Sequence, residues 1–222
     1  MLFHDRRDAG RRLASRLVEY RGRDCVVLAL PRGGVPVAAE VADRLQAPLD
    51  LLLVRKVGVP HHPELAMGSV IDGGEPIIVR DERIMAMTGT GDDAFDRICA
   101  RELEEIERRR AFYLGGRSPQ PLEGRIAIVV DDGLATGNTM RAALRGARAH
   151  RPASLAMAVP VAPADTLAEL ADAADRLVCL ATPPDFQAVG QYYEDFSQTG
   201  DREVVTLLAR HGKRQGAADT AR

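Results

Sequence analysis

A doubly wound α/β fold on a mainly parallel five-stranded sheet is predicted by three features of the sequence. Five short apolar runs, at 25–30 (CVVLAL), 49–54 (LDLLLV), 126–130 (IAIVV), 155–161 (LAMAVPV) and 176–181 (RLVCLA), are nearly continuous instead of alternating. That is the pattern of strands buried on both faces. Segments of helical periodicity separate most of these runs, and strands alternating with helices form a parallel sheet. The unusual residues follow the strands instead of preceding them, and open parallel sheets bind ligands beyond the carboxyl ends of their strands. With 222 residues, 45% of them hydrophobic and no tryptophan, one domain with an aliphatic core is expected over 1–211, followed by a small, polar, disordered tail at 212–222.

The elements follow in chain order. A helix is expected from about Asp5 to Tyr20, with Ala9, Leu13, Leu17 and Val18 on one side. Val41, Ala42 and Leu45 mark a helix after the first strand; Met140, Ala143, Leu144 and Ala147 mark one after the third, and Leu167, Leu170, Ala171 and Ala174 one after the fourth. Residues 57–125 break the alternation: a Pro/Gly-containing flexible loop, a hairpin around Gly73-Gly74, and a charged helix from about Asp92 to Leu114. Phe95, Ile98, Leu103, Ile106 and Tyr113 form a thin apolar stripe on that helix, and its mixed acids and arginines fit a solvated face with i,i+4 pairs. A last helix runs from Asp201, its expected cap, to about Arg210.

Several classes are disfavoured. The formal charge of −2 and the interspersed arginines provide no basic tract, so no nucleic-acid partner is expected. Cys25, Cys99 and Cys179 are odd in number and far apart, which argues against a disulfide framework or zinc knuckle. The charged N-terminus lacks the apolar core of a signal sequence, and no run is long enough to span a membrane; a cytoplasmic protein is expected.

The most informative segment is VVDDGLATGNTM, 129–140: a strand, two carboxylates, a small-residue turn and the start of a helix. Asp131 and Asp132 offer acceptors for a sugar diol. Gly133, Ala135, Thr136, Gly137, Asn138 and Thr139 offer hydroxyls and close-approaching N–H groups at a helix N-terminus, where an anion is favoured. Repulsion separates the two functions, because a phosphate is held off by the carboxylates and accepted further along. No P-loop, dinucleotide fingerprint or phosphoaspartate D-x-D-x-T motif is present. The turn Pro31–Gly34 (PRGG) adds Arg32 and the side-chain-free Gly33 and Gly34, which let backbone N–H groups approach a polyanion. Arg55 and Lys56, placed at the end of the second strand, can neutralise a leaving group. His61, His62 and Glu64 invite a metal site, but exposed loop histidines explain them better.

The 129–140 segment resembles the ligand-binding signature of the type I phosphoribosyltransferases. Together with FHDRRDAG, PRGG, RKVG and DFQAVGQYYEDFSQ it extends the resemblance over nearly the whole chain, to a small group of stand-alone bacterial phosphoribosyltransferase-domain proteins. The resemblance implies that Asp131 to Thr139, with Arg32, Gly33 and Gly34, bind 5-phosphoribosyl 1-pyrophosphate (PRPP). It implies that Mg²⁺ accompanies the pyrophosphate, contacted by Asp131 and Asp132 indirectly through ribose hydroxyls or water, and that Arg55, Lys56, Asp131 and Asp132 act in catalysis. It also implies that the segment around Gly58, Pro60, Pro63 and Gly68 is the mobile loop that closes over PRPP, and that the PRGG loop can hold a cis peptide. The expected activity is transfer of the phosphoribosyl group to a small-molecule nitrogen acceptor, such as a nucleobase, with release of pyrophosphate. The alternatives are a PRPP- or nucleotide-sensing regulator without turnover, or a hydrolase or phosphotransferase on another phosphorylated sugar. Some purine-specific relatives carry an Asp where Ala135 stands, so the acceptor stays open. Residues 182–200, with Phe186, Tyr192, Tyr193 and Phe196, can serve as a hood over the base, as core, or as a homodimer contact.

Overall fold

The computed structural model describes residues 2–72 and 76–219. All five apolar runs become strands of one parallel sheet: β1 (Cys25–Ala29), β2 (Leu49–Leu51), β6 (Ile126–Val130), β7 (Ser154–Val161) and β8 (Arg176–Ala181), in the order β2-β1-β6-β7-β8. Every residue of β1, β2 and β6 is buried, as helices on both faces require. On one side lie α1 (Arg6–Ser15) and α2 (Gly34–Leu45), which seal Leu13, Leu17, Val37 and Val41 against Val27 and Ile128. On the other lie α5 (Asn138–Ala149) and α6 (Ala164–Glu169), where Met140, Leu144 and Leu170 cover Val26, Val129 and Met157.

The chain leaves β1 through α2 toward β2, and leaves β6 through α5 toward β7 on the other side. The winding therefore reverses between the adjacent strands β1 and β6. Their carboxyl ends diverge into two loops, 30–34 and 131–137, and the crevice between such loops is where doubly wound sheets bind ligands.

The insertion is more regular than its composition suggests. Its Pro/Gly segment, expected as a flexible loop, folds into β3 (Val54–Val59) and β4 (His62–Ile71), which pair antiparallel, with β5 (Ile77–Arg80) as third strand. The hairpin expected around Gly73-Gly74 is flanked by the paired strands β4 and β5, and its tip lies outside the described residues. One face of this small sheet is apolar and packed. Val57, Met67 and Val70 are buried. After the short α3 (Glu82–Thr88), the charged helix α4 (Asp92–Leu114) packs across β3 and β4. At Gly68 a Cβ would overlap the Val79 carbonyl oxygen of β5 and approach the Phe95 ring to 2.9 Å. Glycine there lets helix and sheet close together, so it is not a loop signal.

Two boundaries differ from expectation. The last helix, α7, runs Asp201–Asp219, so residues 212–219 extend a helix instead of opening a disordered tail. Asp201 is the first helical residue, and its carboxylate accepts the Tyr113 hydroxyl at 2.6 Å instead of capping the helix.

Candidate functional site

At the reversal point the backbone brings the PRGG turn and the carboxylate pair into contact. Leu30 donates its N–H to the Val130 carbonyl at 3.0 Å, which locks the two strand ends in register. A cis peptide joins Pro31 and Arg32, as the resemblance allowed. A Cβ on Gly34 would stand 2.8 Å from the Val130 carbonyl oxygen and 3.0 Å from Asp131 Oδ1, and one on Gly33 would overlap the Asp132 carboxylate. The two glycines are therefore needed here for a close approach of backbone to carboxylate. Arg32 is partly exposed, with Nη1 3.5 Å from Asp201 Oδ1.

Asp131 accepts the Asp132 N–H on Oδ1 at 2.9 Å. Burial, and then the adjacent Asp132 charge, push the Asp131 carboxyl well above the usual carboxylate range. Asp132 is also raised by burial, although Arg6 opposes the shift. Two partly buried carboxylates side by side gain from hydroxyl donors or a cation in front of them, and this tension is common at functional sites. Among the described residues, Arg6 is the cation that pairs with either carboxylate: its Nε lies 2.7 Å from Asp132 Oδ2. The Tyr193 hydroxyl donates to the Asp132 carbonyl at 2.6 Å.

Beyond the pair, the loop turns into α5. Gly137 takes a left-handed φ of 70° as the N-cap, a conformation open to glycine at little cost. The Ala135 carbonyl accepts the Thr166 hydroxyl at 2.8 Å, which fixes the turn from the neighbouring α6. Ala135, Thr136, Asn138 and Thr139 are exposed, and the leading N–H groups of α5 lack intrahelical acceptors. The result is a turn with exposed hydroxyls and N–H groups, chemically suited to an anion, one step away from the acids.

Arg55 and Lys56 occupy a different place from the one expected. The second strand stops at Leu51, and both residues lie within β3. They line a cavity of about 750 Å³ between the hairpin, α4 and Thr139, with Arg101 and His61 also on its wall. Arg55 Nε is engaged by Glu102 Oε2 at 2.6 Å. Lys56 is exposed. Thr139 joins this cavity to the 135–139 turn, so the cationic residues and the loop face one continuous region. His61 and His62 stand exposed at the tip of the β3–β4 hairpin, and among the described residues no three His, Cys, Asp or Glu side chains group as a metal site. Likewise, no helix among the described residues is long and apolar enough to cross a membrane.

Of the late aromatics, Tyr193 is buried, with Phe3 at 5.3 Å and Phe196 at 5.0 Å between ring centroids. Phe196 lies 3.9 Å beneath the Arg6 guanidinium. These two serve as packing. Phe186 and Tyr192 stack on each other at 5.5 Å.

Arg6 is the site residue that sequence reasoning missed, while Tyr193, expected as hood, core or dimer contact, also reaches the site through the Asp132 carbonyl. A signal for Arg6 existed: arginines in a helix's first turn oppose the helix dipole, so Arg6 needs a reason to be there, and the reason lies in another element.

The fold defines an α/β protein of the type I phosphoribosyltransferase architecture, with a carboxylate pair and a small-residue turn at the winding reversal. The family model for the phosphoribosyl transferase domain matches residues 3–197, and the chain belongs to that family. It is 50% identical over 223 residues to proteins provisionally named phosphoribosyl transferases in two strains of Mycobacterium tuberculosis, covering 99% of this chain and 50% of theirs. The chain thus spans about half the length of these curated relatives. It is also similar to the crystal structure of TT1426 from Thermus thermophilus, with 41% identity, a TM-score of 0.81 and coverage of 95% of this chain and 99% of that one.

Proposed function

We propose that the chain is a phosphoribosyltransferase that moves the 5-phosphoribosyl group of PRPP to a nitrogen acceptor, a nucleobase being the favoured class. The observation that carries this is the contact of Gly33 and Gly34 with Asp131 and Asp132 at the reversal point, beside the anion-binding turn 135–139. PRPP has a diol between a 5-phosphate and a pyrophosphate, and the crevice offers acids between two polyanion-binding turns in the same order.

In this reading Asp131 and Asp132 accept the ribose hydroxyls, the N–H groups and hydroxyls of Thr136 to Thr139 hold the 5-phosphate, and the PRGG turn with Arg32 holds the pyrophosphate. The acceptor nitrogen attacks the anomeric carbon and forms the new C–N bond, while the C–O bond to pyrophosphate breaks and the electron pair leaves with it. Negative charge grows on the departing oxygen, and Lys56 and Arg55 are the chain's cations suited to it. The paired carboxylates are hard oxygen donors whose charges repel, so they fit a divalent cation seen through hydroxyls or water. Mg²⁺ bound with PRPP would lower the charge of the leaving pyrophosphate. Ala135 offers no acid for the acceptor's proton, which disfavours a mechanism that needs one at that position.

The test is incubation of the purified protein with Mg²⁺, PRPP and a panel of nucleobases and simple amines, reading pyrophosphate release. Asp131→Asn, Asp132→Asn and Lys56→Ala are each expected to lower turnover roughly a hundredfold or more, as loss of a charge-stabilising group does. Unchanged turnover in all three rejects the assigned site. The engagement of Arg55 by Glu102 favours a second reading, a PRPP sensor without turnover. PRPP binding in calorimetry with no pyrophosphate release from any acceptor would select it.

A further inference from the structure

We propose that Arg6 is a positioning residue for the ligand site, holding Asp132 Oδ2 so that the carboxylate presents its other oxygen to the sugar diol. This rests on the reading above that Asp132 receives ribose hydroxyls.

The geometry is specific. Arg6 spends Nε on Asp132 Oδ2 at 2.7 Å and Nη1 on the Ser197 carbonyl at 2.7 Å. Its flat face rests on Phe196, 3.9 Å from the ring centroid, and its side chain is 11% exposed. A planar guanidinium meets an acid, a carbonyl and a ring at once; an ammonium cannot. The arginine is carried to this place by a short zipper between chain regions far apart in sequence: Phe3 donates to the Tyr192 carbonyl at 2.9 Å, and Glu194 and Asp195 donate to the Phe3 and His4 carbonyls at 2.9 Å. Asp132 is then held at three points: its carboxylate by Arg6, its carbonyl by Tyr193, and its N–H by Asp131. Without Arg6, repulsion from Asp131 is free to rotate the Asp132 carboxylate out of place.

The experiment is PRPP titration by calorimetry in Mg²⁺ at fixed salt, with thermal denaturation of each variant. Arg6→Ala is expected to weaken PRPP binding about tenfold to a hundredfold, the range for a charge-assisted hydrogen bond. If Arg6 acts through Asp132, the Arg6→Ala/Asp132→Asn double variant binds no worse than Asp132→Asn alone, and guanidinium ion at low millimolar concentration partly restores Arg6→Ala. A merely structural role gives neither result. Arg6→Lys, which keeps the charge and loses the planar fork, is expected to lie between wild type and Arg6→Ala, and it carries the test if Arg6→Ala does not fold. Wild-type affinity in folded Arg6→Ala or Arg6→Lys, or additive penalties in the double variant, overturns the proposal while leaving the functional reading standing. Absence of PRPP binding by the wild-type protein overturns both.

Discussion

Asp131 is where folding and binding make opposite demands. Its carboxyl is raised by burial and by the Asp132 charge, so proton uptake favours the folded state. The sign follows: this stabilisation is full below the ordinary carboxylate range near pH 4 and is lost as pH rises through the raised folded value. Above that value the folded protein carries two crowded charges that ligand binding is expected to relieve. Asp131→Asn keeps an oxygen for the Asp132 N–H and removes the charge. The ligand-free variant is therefore expected to melt about 2–4 °C above wild type at pH 8, corresponding to roughly 1 kcal/mol in a chain of this size. The gap should narrow as pH is lowered toward 5, and scanning calorimetry across that range measures it. An equal or lower melting temperature at pH 8 would show that the Asp131 charge is already compensated in the free protein. At this scale the sequence is legible where chemistry is local: two acids, two glycines and a Thr-Gly-Asn-Thr turn each sit within a few residues of a strand end. The place of Arg6 in a helix's first turn hints that it has a partner elsewhere, but the partner itself is not legible, because Asp132 is 126 positions away and adjacency in sequence says nothing about that contact.

Elements are held to one another by a second, non-catalytic charge cluster. Arg110 of α4 reaches Asp50 of β2 at 3.2 Å and also Asp72 just after β4, and Asp50 accepts the Gln120 N–H at 2.7 Å. The side chains of Asp50 and Asp72 are only 5% and 8% exposed. The cluster therefore ties the parallel sheet, the small antiparallel sheet and the long helix together. Removing Arg110 takes the cation away from the buried Asp50 carboxylate. Arg110→Ala is expected to cost about 3–5 kcal/mol in urea unfolding, far more than the loss of an exposed pair such as Arg108 with Glu105. A cost below about 1 kcal/mol would mean that water reaches Asp50. The same insertion shows the limit of reading elements from sequence. α4 was legible because its apolar stripe repeats over 23 residues. The β3–β4 hairpin was not, because Gly58, Pro60, Pro63 and Gly68 carry loop composition while the apolar positions that order it, Val57, Met67 and Val70, acquire meaning only once α4 covers them.

On the scale of the whole molecule, the crevice lies between loops that lead to opposite layers: the PRGG turn opens α2 on one face of the sheet, and the acidic loop opens α5 on the other. A ligand that bridges them links both halves of the core, so its binding energy should appear as global stability. With PRPP and Mg²⁺ at about a hundred times the dissociation constant, linkage contributes about 2.7 kcal/mol, which for a chain of this length raises the melting temperature by roughly 5–11 °C. Ribose 5-phosphate keeps the diol and the 5-phosphate but reaches only the acidic loop and the 135–139 turn, so a smaller shift is expected. Pyrophosphate, which reaches only the PRGG turn or the cavity at Lys56, should also give a smaller shift. Asp132→Asn should depress the responses to PRPP and ribose 5-phosphate and spare that to pyrophosphate. If pyrophosphate and PRPP instead shift wild type and Asp132→Asn equally, the anion is being held by Arg55, Lys56 and Arg101 without the acids, and the carboxylate pair is not the sugar site.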